Sequence, residues 1–224
     1  IKGQEIWFRA LRKIASGSEI TISYVDLATP HIQRQHDLSK QYMFKCSCEV
    51  CSDPMSEEKE KIKISTAGPE DLVRQARAAA SQAHASSADP SISRSQVLKE
   101  LKDAISLSQR ALHPLNIELM RLREEAIRVA VAEEEWIVAH AQCEETITAY
   151  RQHYPSSFPL LGVQLAMLGK LEMYLGNPSK ARPYLAEGLD TIRRTLGAEN
   201  HTAKETQRLL DEATWSLQGL GGFD

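Results

Sequence analysis

Three cysteines fall within six residues in the stretch "QYMFKCSCEVC", at Cys46, Cys48 and Cys51, and the fourth cysteine of the chain, Cys143, is far away. Thiolates are soft donors, and a Cys-x2-Cys step lets two sulfurs converge on one ion at about 2.3 Å. The spacing points to zinc rather than to the disulfide framework of a secreted module. Three unrelated thiols in a loop is the competing reading. Tetrahedral zinc takes four ligands, and this knot offers three. His31 and His36, in the polar segment "TPHIQRQHDLSKQ", and Cys143 are candidates for the fourth; a donor from outside this segment fits better. Tyr42 and Phe44 lead into the knot, and Tyr24 closes the run "SEITISY". On the residues alone Tyr24 reads as a core aromatic beside Ile20 and Ile22, and Phe44 as packing for the knot.

The elements that must carry these residues divide into two patterns. "EIWFRALRKI" and "SEITISYVD" are short runs rich in β-branched and aromatic residues, separated by the turn-forming "ASGS". In the second run Ile20, Ile22 and Tyr24 share one face of an expected strand. Two strands alone are marginal, so this hairpin needs further strands or a surface to lean on. From Gly68-Pro69-Glu70-Asp71 onward the pattern turns helical, with proline at a helix start and acids in the first turn. The periodicity predicts helices near 69–85, 93–112, 117–131, 134–153, 159–175, 178–196 and 200–218. Segments around Ala139 and Ala181 align at an offset of 42 residues, and helix pairs that repeat in this way bury their apolar faces by stacking. Trp136 and Trp215 are expected to pack between helices.

Charge and hydropathy exclude several partners. The chain of 224 residues has a net charge of −3. Residues 1–66 contain ten Lys and Arg against nine Asp and Glu, and the remainder seventeen against twenty-one. Neither part has the basic excess that phosphate contacts demand, which argues against nucleic acid as the primary ligand. No run reaches the length of a membrane span. The opening residues lack the basic and apolar regions of a secretory signal. With the thiol spacing, this favours a reducing compartment, cytoplasmic or nuclear.

"IWFRALRKIASGSEITISYVD", followed after a polar helix-like link by "QYMFKCSCEVC", resembles the closing half of a SET domain with its post-SET zinc motif. "YPSSFPLLGVQLAMLGKLEMYLGN…TLGAENH" is similar to the C-terminal tetratricopeptide-like domain of the SET-and-MYND family of protein lysine methyltransferases. The resemblance covers nearly the whole chain, in order. It implies an α+β fold: a partial SET β-region in 1–40, a post-SET zinc segment in 41–66 and an all-α tetratricopeptide-like domain in 67–224. It further implies S-adenosylmethionine as cofactor, zinc on Cys46, Cys48 and Cys51, and a lysine-bearing protein segment, histone or otherwise, as substrate. Tyr24 and Tyr42 match the tyrosines that line the lysine channel and touch the cofactor; Phe44 matches the aromatic that packs on its adenine. In the family the fourth zinc ligand comes from an Asn-His-Ser-Cys motif, which this sequence lacks along with the Gly-rich cofactor loop. The expectation is the C-terminal part of a longer methyltransferase. A non-enzymatic module binding a partner peptide on its helical domain is the alternative.

Overall fold

The computed structural model describes residues 8–52 and 56–220. Among them are ten helices: α1 (His31–Tyr42), α2 (Glu49–Ser52), α3 (Ser56–Ile64), α4 (Glu70–Ala88), α5 (Arg94–Ala111), α6 (Ile117–Ala132), α7 (Trp136–His153), α8 (Pro159–Tyr174), α9 (Pro178–Thr195) and α10 (His201–Leu220). From α4 onward each lies within three residues of the helix its periodicity predicts. By their internal contacts the residues form two compact units, one of Ile22–His153 and one of Ile1–Thr21 with Tyr154–Asp224.

In the unit Ile22–His153, α4 packs on α5, α5 on α6 and α6 on α7. Each helix buries a stripe at three- and four-residue spacing, such as Val97, Leu101, Ala104, Ile105 and Ser108 in α5. The matching stripe in α6 is Leu119, Leu122, Ala126, Ile127 and Ala130. Each fully buried leucine in these rows is worth roughly 1.5–3 kcal/mol of transfer energy. A polar stitch fixes where α3 ends. Asn116 is fully buried; its side chain caps α6 by accepting from the Glu118 amide at 2.7 Å, and donates to the Ser65 carbonyl at 2.9 Å. The amides of Ala67 and Gly68 both donate to the Ala111 carbonyl, and Thr66 makes an isolated antiparallel bridge with Leu112. These bonds anchor the segment that follows α3, and with it Glu60 and Lys63.

In the other unit α8 and α9 run antiparallel at very close approach. A Cβ on Gly188 would lie 2.9 Å from both the Ala166 nitrogen and the Gly162 carbonyl oxygen, so backbone meets backbone there. α10 closes the unit through Ala203, Leu209 and Ala213, which pack with Ala181, Leu185, Leu189 and Ile192 of α9. Between α8 and α9 the turn needs Gly176, at φ +75°. Gly188→Ala should therefore destabilise this unit. Helix propensity favours alanine by about 1 kcal/mol, but forcing two backbones apart costs typically 1–3 kcal/mol or more. The urea midpoint of the variant is expected to fall; an unchanged or higher midpoint would mean the α8–α9 contact relaxes freely.

The architecture corrects the α+β expectation. Among the described residues there is no strand, and the chain is an all-helical, tetratricopeptide-like assembly. Of the first strand reading, Glu5 to Trp7 lie outside the described residues. The rest of both runs is irregular: Phe8 is 74% exposed and Ile20 77%. The turn itself forms, with Gly17 at φ +82° and the Ser18 amide donating to the Ala15 carbonyl at 3.1 Å. Alternation specifies a face only where a further strand or a core covers it, and two short runs cannot supply that for each other. The polar link ahead of the knot, helix-like in sequence, forms the helix α1. Trp215, expected to pack between helices, is largely exposed on α10.

Candidate metal centre and aromatic cluster

α1 has no capping side chain of its own; Pro30 precedes it in extended conformation. The orphan amide of His31 is satisfied from a distance by Glu60 Oε2 of α3, at 2.7 Å. At the other end Met43 adopts the left-handed conformation, φ 61°. This costs a residue with a side chain roughly 1–2 kcal/mol, and it reverses the chain just after Tyr42. Phe44 follows this reversal directly. Tyr24 stands between the two: its centroid is 4.8 Å from that of Tyr42, tilted, and 5.7 Å from that of Phe44, edge to face. All three rings keep an exposed face. Such faces suit a cation or a flat heterocycle.

The knot follows directly. The amides of Cys51 and Ser52 both donate to the Cys48 carbonyl at 2.9 Å, which winds the short α2. Gln35 of α1 grips the main chain of Cys46 on both sides, accepting from its amide at 3.0 Å and donating to its carbonyl at 2.8 Å. The three Sγ atoms lie within 4.8 Å of one another. Tetrahedral zinc with 2.3 Å bonds sets sulfurs roughly 3.8 Å apart, so a small contraction seats one ion. The donor set fits zinc.

None of the candidates for a fourth ligand in this chain joins the three thiols among the described residues. The Gln35 amide nitrogen lies 3.1 Å from His31 Nε2, which occupies that ring nitrogen. His36 faces Asp37 at the surface. Cys143 is buried in α7, and burial pushes its thiol up to about 12, the state of an inert small residue.

Electrostatics around the knot is uneven. Burial raises the Cys51 thiol to about 11, although Arg34 opposes the shift. Burial acts in the same direction on Cys48, but hydrogen bonds from the Cys51 amide and the neighbouring thiols outweigh it and hold Cys48 below its usual value. Behind the knot sits a buried ion cluster. Glu60 Oε1 accepts from Arg34 at 3.0 Å and from Lys63 at 2.9 Å. Burial pushes the Glu60 carboxyl up, yet the bonds from Lys63 and Arg34 prevail and keep it ionised. The Lys63 ammonium is lowered by burial and also donates to the Leu27 carbonyl at 2.9 Å. The loop after Tyr24 is tied once more through Arg121, which reaches Thr29 Oγ1 at 3.1 Å and Asp26 at 3.4 Å.

Arg34, Gln35, Glu60 and Lys63 are site residues that the sequence pattern does not single out. One signal is present in it: Arg34 lies four residues before Leu38, and both are buried on one face of α1. A buried arginine in the row of a buried leucine implies acceptors waiting for it.

No family model matches the chain. Curated proteins do. It is 28% identical over 92% of its length to the histone-lysine N-methyltransferase ASHR1 of Arabidopsis thaliana, covering 49% of that protein. It is 27% identical over 96% of its length to the histone-lysine N-methyltransferase SMYD3 of Mus musculus, covering 49%, and 25% identical over 94% to the N-lysine methyltransferase SMYD2-A of Xenopus laevis, covering 50%. The chain spans about half the length of the curated relatives it matches. No described helix is long and apolar enough to cross a membrane. Along nearly its whole length, at modest identity, the curated homologues of this chain are lysine methyltransferases of the SET-and-MYND family.

Proposed function

We propose that this chain is the C-terminal part of an S-adenosylmethionine-dependent protein lysine N-methyltransferase, in which Tyr24, Tyr42 and Phe44 form one wall of the reaction site and the zinc knot holds that wall in place. The observation that carries the reading is the convergence of the three rings immediately ahead of the three thiols. The homologues supply the reaction class. Zinc would be held by Cys46, Cys48 and Cys51, with its fourth ligand from elsewhere in the protein, and S-adenosylmethionine when bound would supply a sulfonium methyl.

The residues here have three roles. A free lysine with a pKa near 10.4 is neutral in only about one part in 2,500 at pH 7. Desolvation by the two tyrosine rings disfavours the ammonium and raises that fraction. The Tyr24 hydroxyl accepts a hydrogen bond from the lysine amine and so orients its lone pair. Phe44 offers its face to the adenine. The substrate is a lysine-bearing segment of a protein, histone or otherwise, encountered in the cytoplasm or nucleus.

Calorimetry with S-adenosylmethionine on the full-length protein tests this reading. Stacking of a base on an aromatic ring is worth about 1–3 kcal/mol. Phe44→Ala should thus weaken cofactor binding by roughly one to two orders of magnitude, at about 1.4 kcal/mol per tenfold. No binding by the wild type, or equal affinity in the variant, would contradict it.

A further inference from the structure

Arg34 is almost fully buried, and its guanidinium reaches acceptors in three separate segments. It donates to the Thr29 carbonyl at 2.6 Å and the Leu27 carbonyl at 3.5 Å, in the loop that follows Tyr24. It pairs with Glu60 of α3 at 3.0 Å. Its other terminal nitrogen lies 3.9 Å from Cys51 Sγ. One position along the same helix, Gln35 clamps Cys46 by amide and carbonyl. One turn of α1 thus holds both the tyrosine loop and the cysteine knot.

A buried guanidinium is costly unless its donors are met. The three oxygen acceptors all lie on Nη1, so Nη2 turns to Cys51 Sγ, and that contact is weak while the thiol is neutral. It gains strength when the thiol becomes a metal-bound thiolate, because an N–H···S bond to a negative sulfur is charge-assisted. Arginine is suited to bridging of this kind, because its planar fork serves several acceptors at once, whereas a lysine is a point charge. Lys63 already supplies such a point charge to Leu27 and Glu60.

We propose that Arg34 is a positioning residue that couples the metal knot to the Tyr24 loop, its guanidinium bridging Cys51 Sγ to the carbonyls of Leu27 and Thr29, so that filling the knot orders the loop. Its consequence for catalysis rests on the methyltransferase reading; its consequence for the metal does not.

Cobalt(II) exchanged for zinc in the full-length protein reports on the sulfur itself, since its thiolate-to-metal charge-transfer band moves when an N–H···S bond is lost. Arg34→Lys is expected to shift that band and to ease metal release to a chelator through a loss of affinity of roughly ten- to a hundredfold, the usual effect of removing an outer partner of a metal ligand. Arg121→Ala, which unties the same loop from α6 only, should leave both readouts at wild type. An unshifted band with wild-type release in Arg34→Lys overturns the proposal. A second arm uses no variant. When the metal is removed from the wild-type protein, amide exchange should rise at Ala28 and Thr29 as well as at Cys51 and Ser52; a rise confined to the knot also overturns it. Neither arm involves methyl transfer. A protein that couples knot and loop in this way yet methylates nothing would sink the functional reading and leave the role of Arg34 standing.

Discussion

Tyr24→Phe in the full-length protein is expected to slow lysine methylation by roughly one to three orders of magnitude, each tenfold being about 1.4 kcal/mol of barrier. The substitution keeps the ring, and with it the contacts at 4.8 Å to Tyr42 and 5.7 Å to Phe44. Only the hydroxyl is lost, and with it the group proposed to orient the amine. That interaction acts at the reacting centre, so kcat should fall while affinity for S-adenosylmethionine changes far less. Because the ring is half exposed in this chain, stability should hardly move. Steady-state kinetics paired with calorimetry separates the two effects. A wild-type kcat in the variant would remove Tyr24 from the mechanism, and an equal loss of cofactor affinity would make its hydroxyl a binding group instead.

Stripping zinc should undo the knot completely. Residues 46–52 bury little of their own: Cys48 and Val50 are exposed, and α2 is a single turn. The protein contacts that hold it include the Gln35 clamp, two amides on the Cys48 carbonyl, the Ser52 hydroxyl on the Ser47 carbonyl and the long Arg34 contact to Cys51 Sγ. Structural zinc in small sites contributes on the order of 10 kcal/mol, far more than these bonds can. The binding should also depend on pH in a definite direction. Zinc takes thiolates, and burial holds the metal-free Cys51 thiol at about 11, so the ion must displace its proton at neutral pH. Affinity should therefore fall as pH falls, by up to about tenfold per unit for each proton displaced. Metal analysis should find one zinc at the knot, and a chelator should expose the Cys51 and Ser52 amides to exchange. Protection that survives complete removal of zinc would show that the chain orders this loop unaided.

The two halves of the chain are legible in the sequence to different degrees, for reasons that can be named. The helices from α4 to α10 are readable because each carries its own signals. Ser93 caps α5 and Asn116 caps α6 through their side chains, and proline opens α8 and α9. Residues 8–30 mislead because their alternation is a statement about a surface to be covered, and Ile20 and Ile22 find none among the described residues. The bounds of α1 are hidden because its start is made by Glu60, twenty-nine positions away, and its end by Met43 in a conformation that methionine seldom takes. The thiols are legible from spacing alone. The convergence of Tyr24 with Tyr42 and Phe44 is implied only by resemblance, since nothing local connects residue 24 to residue 42. Arg34 stays hidden for a similar reason: its acceptors are main-chain carbonyls and a carboxylate from segments remote in the chain.

That the aromatic cluster and the knot serve lysine methyl transfer is tested most directly by one measurement. Full-length protein, loaded with zinc, is incubated with cell-extract proteins and S-adenosylmethionine bearing an isotopically labelled methyl, and the products are read by mass spectrometry. The prediction is label on lysine Nζ in the wild type, with labelling strongly reduced by Tyr24→Phe. Absence of label from lysine in the zinc-loaded wild type, under conditions where S-adenosylmethionine is bound, would contradict it.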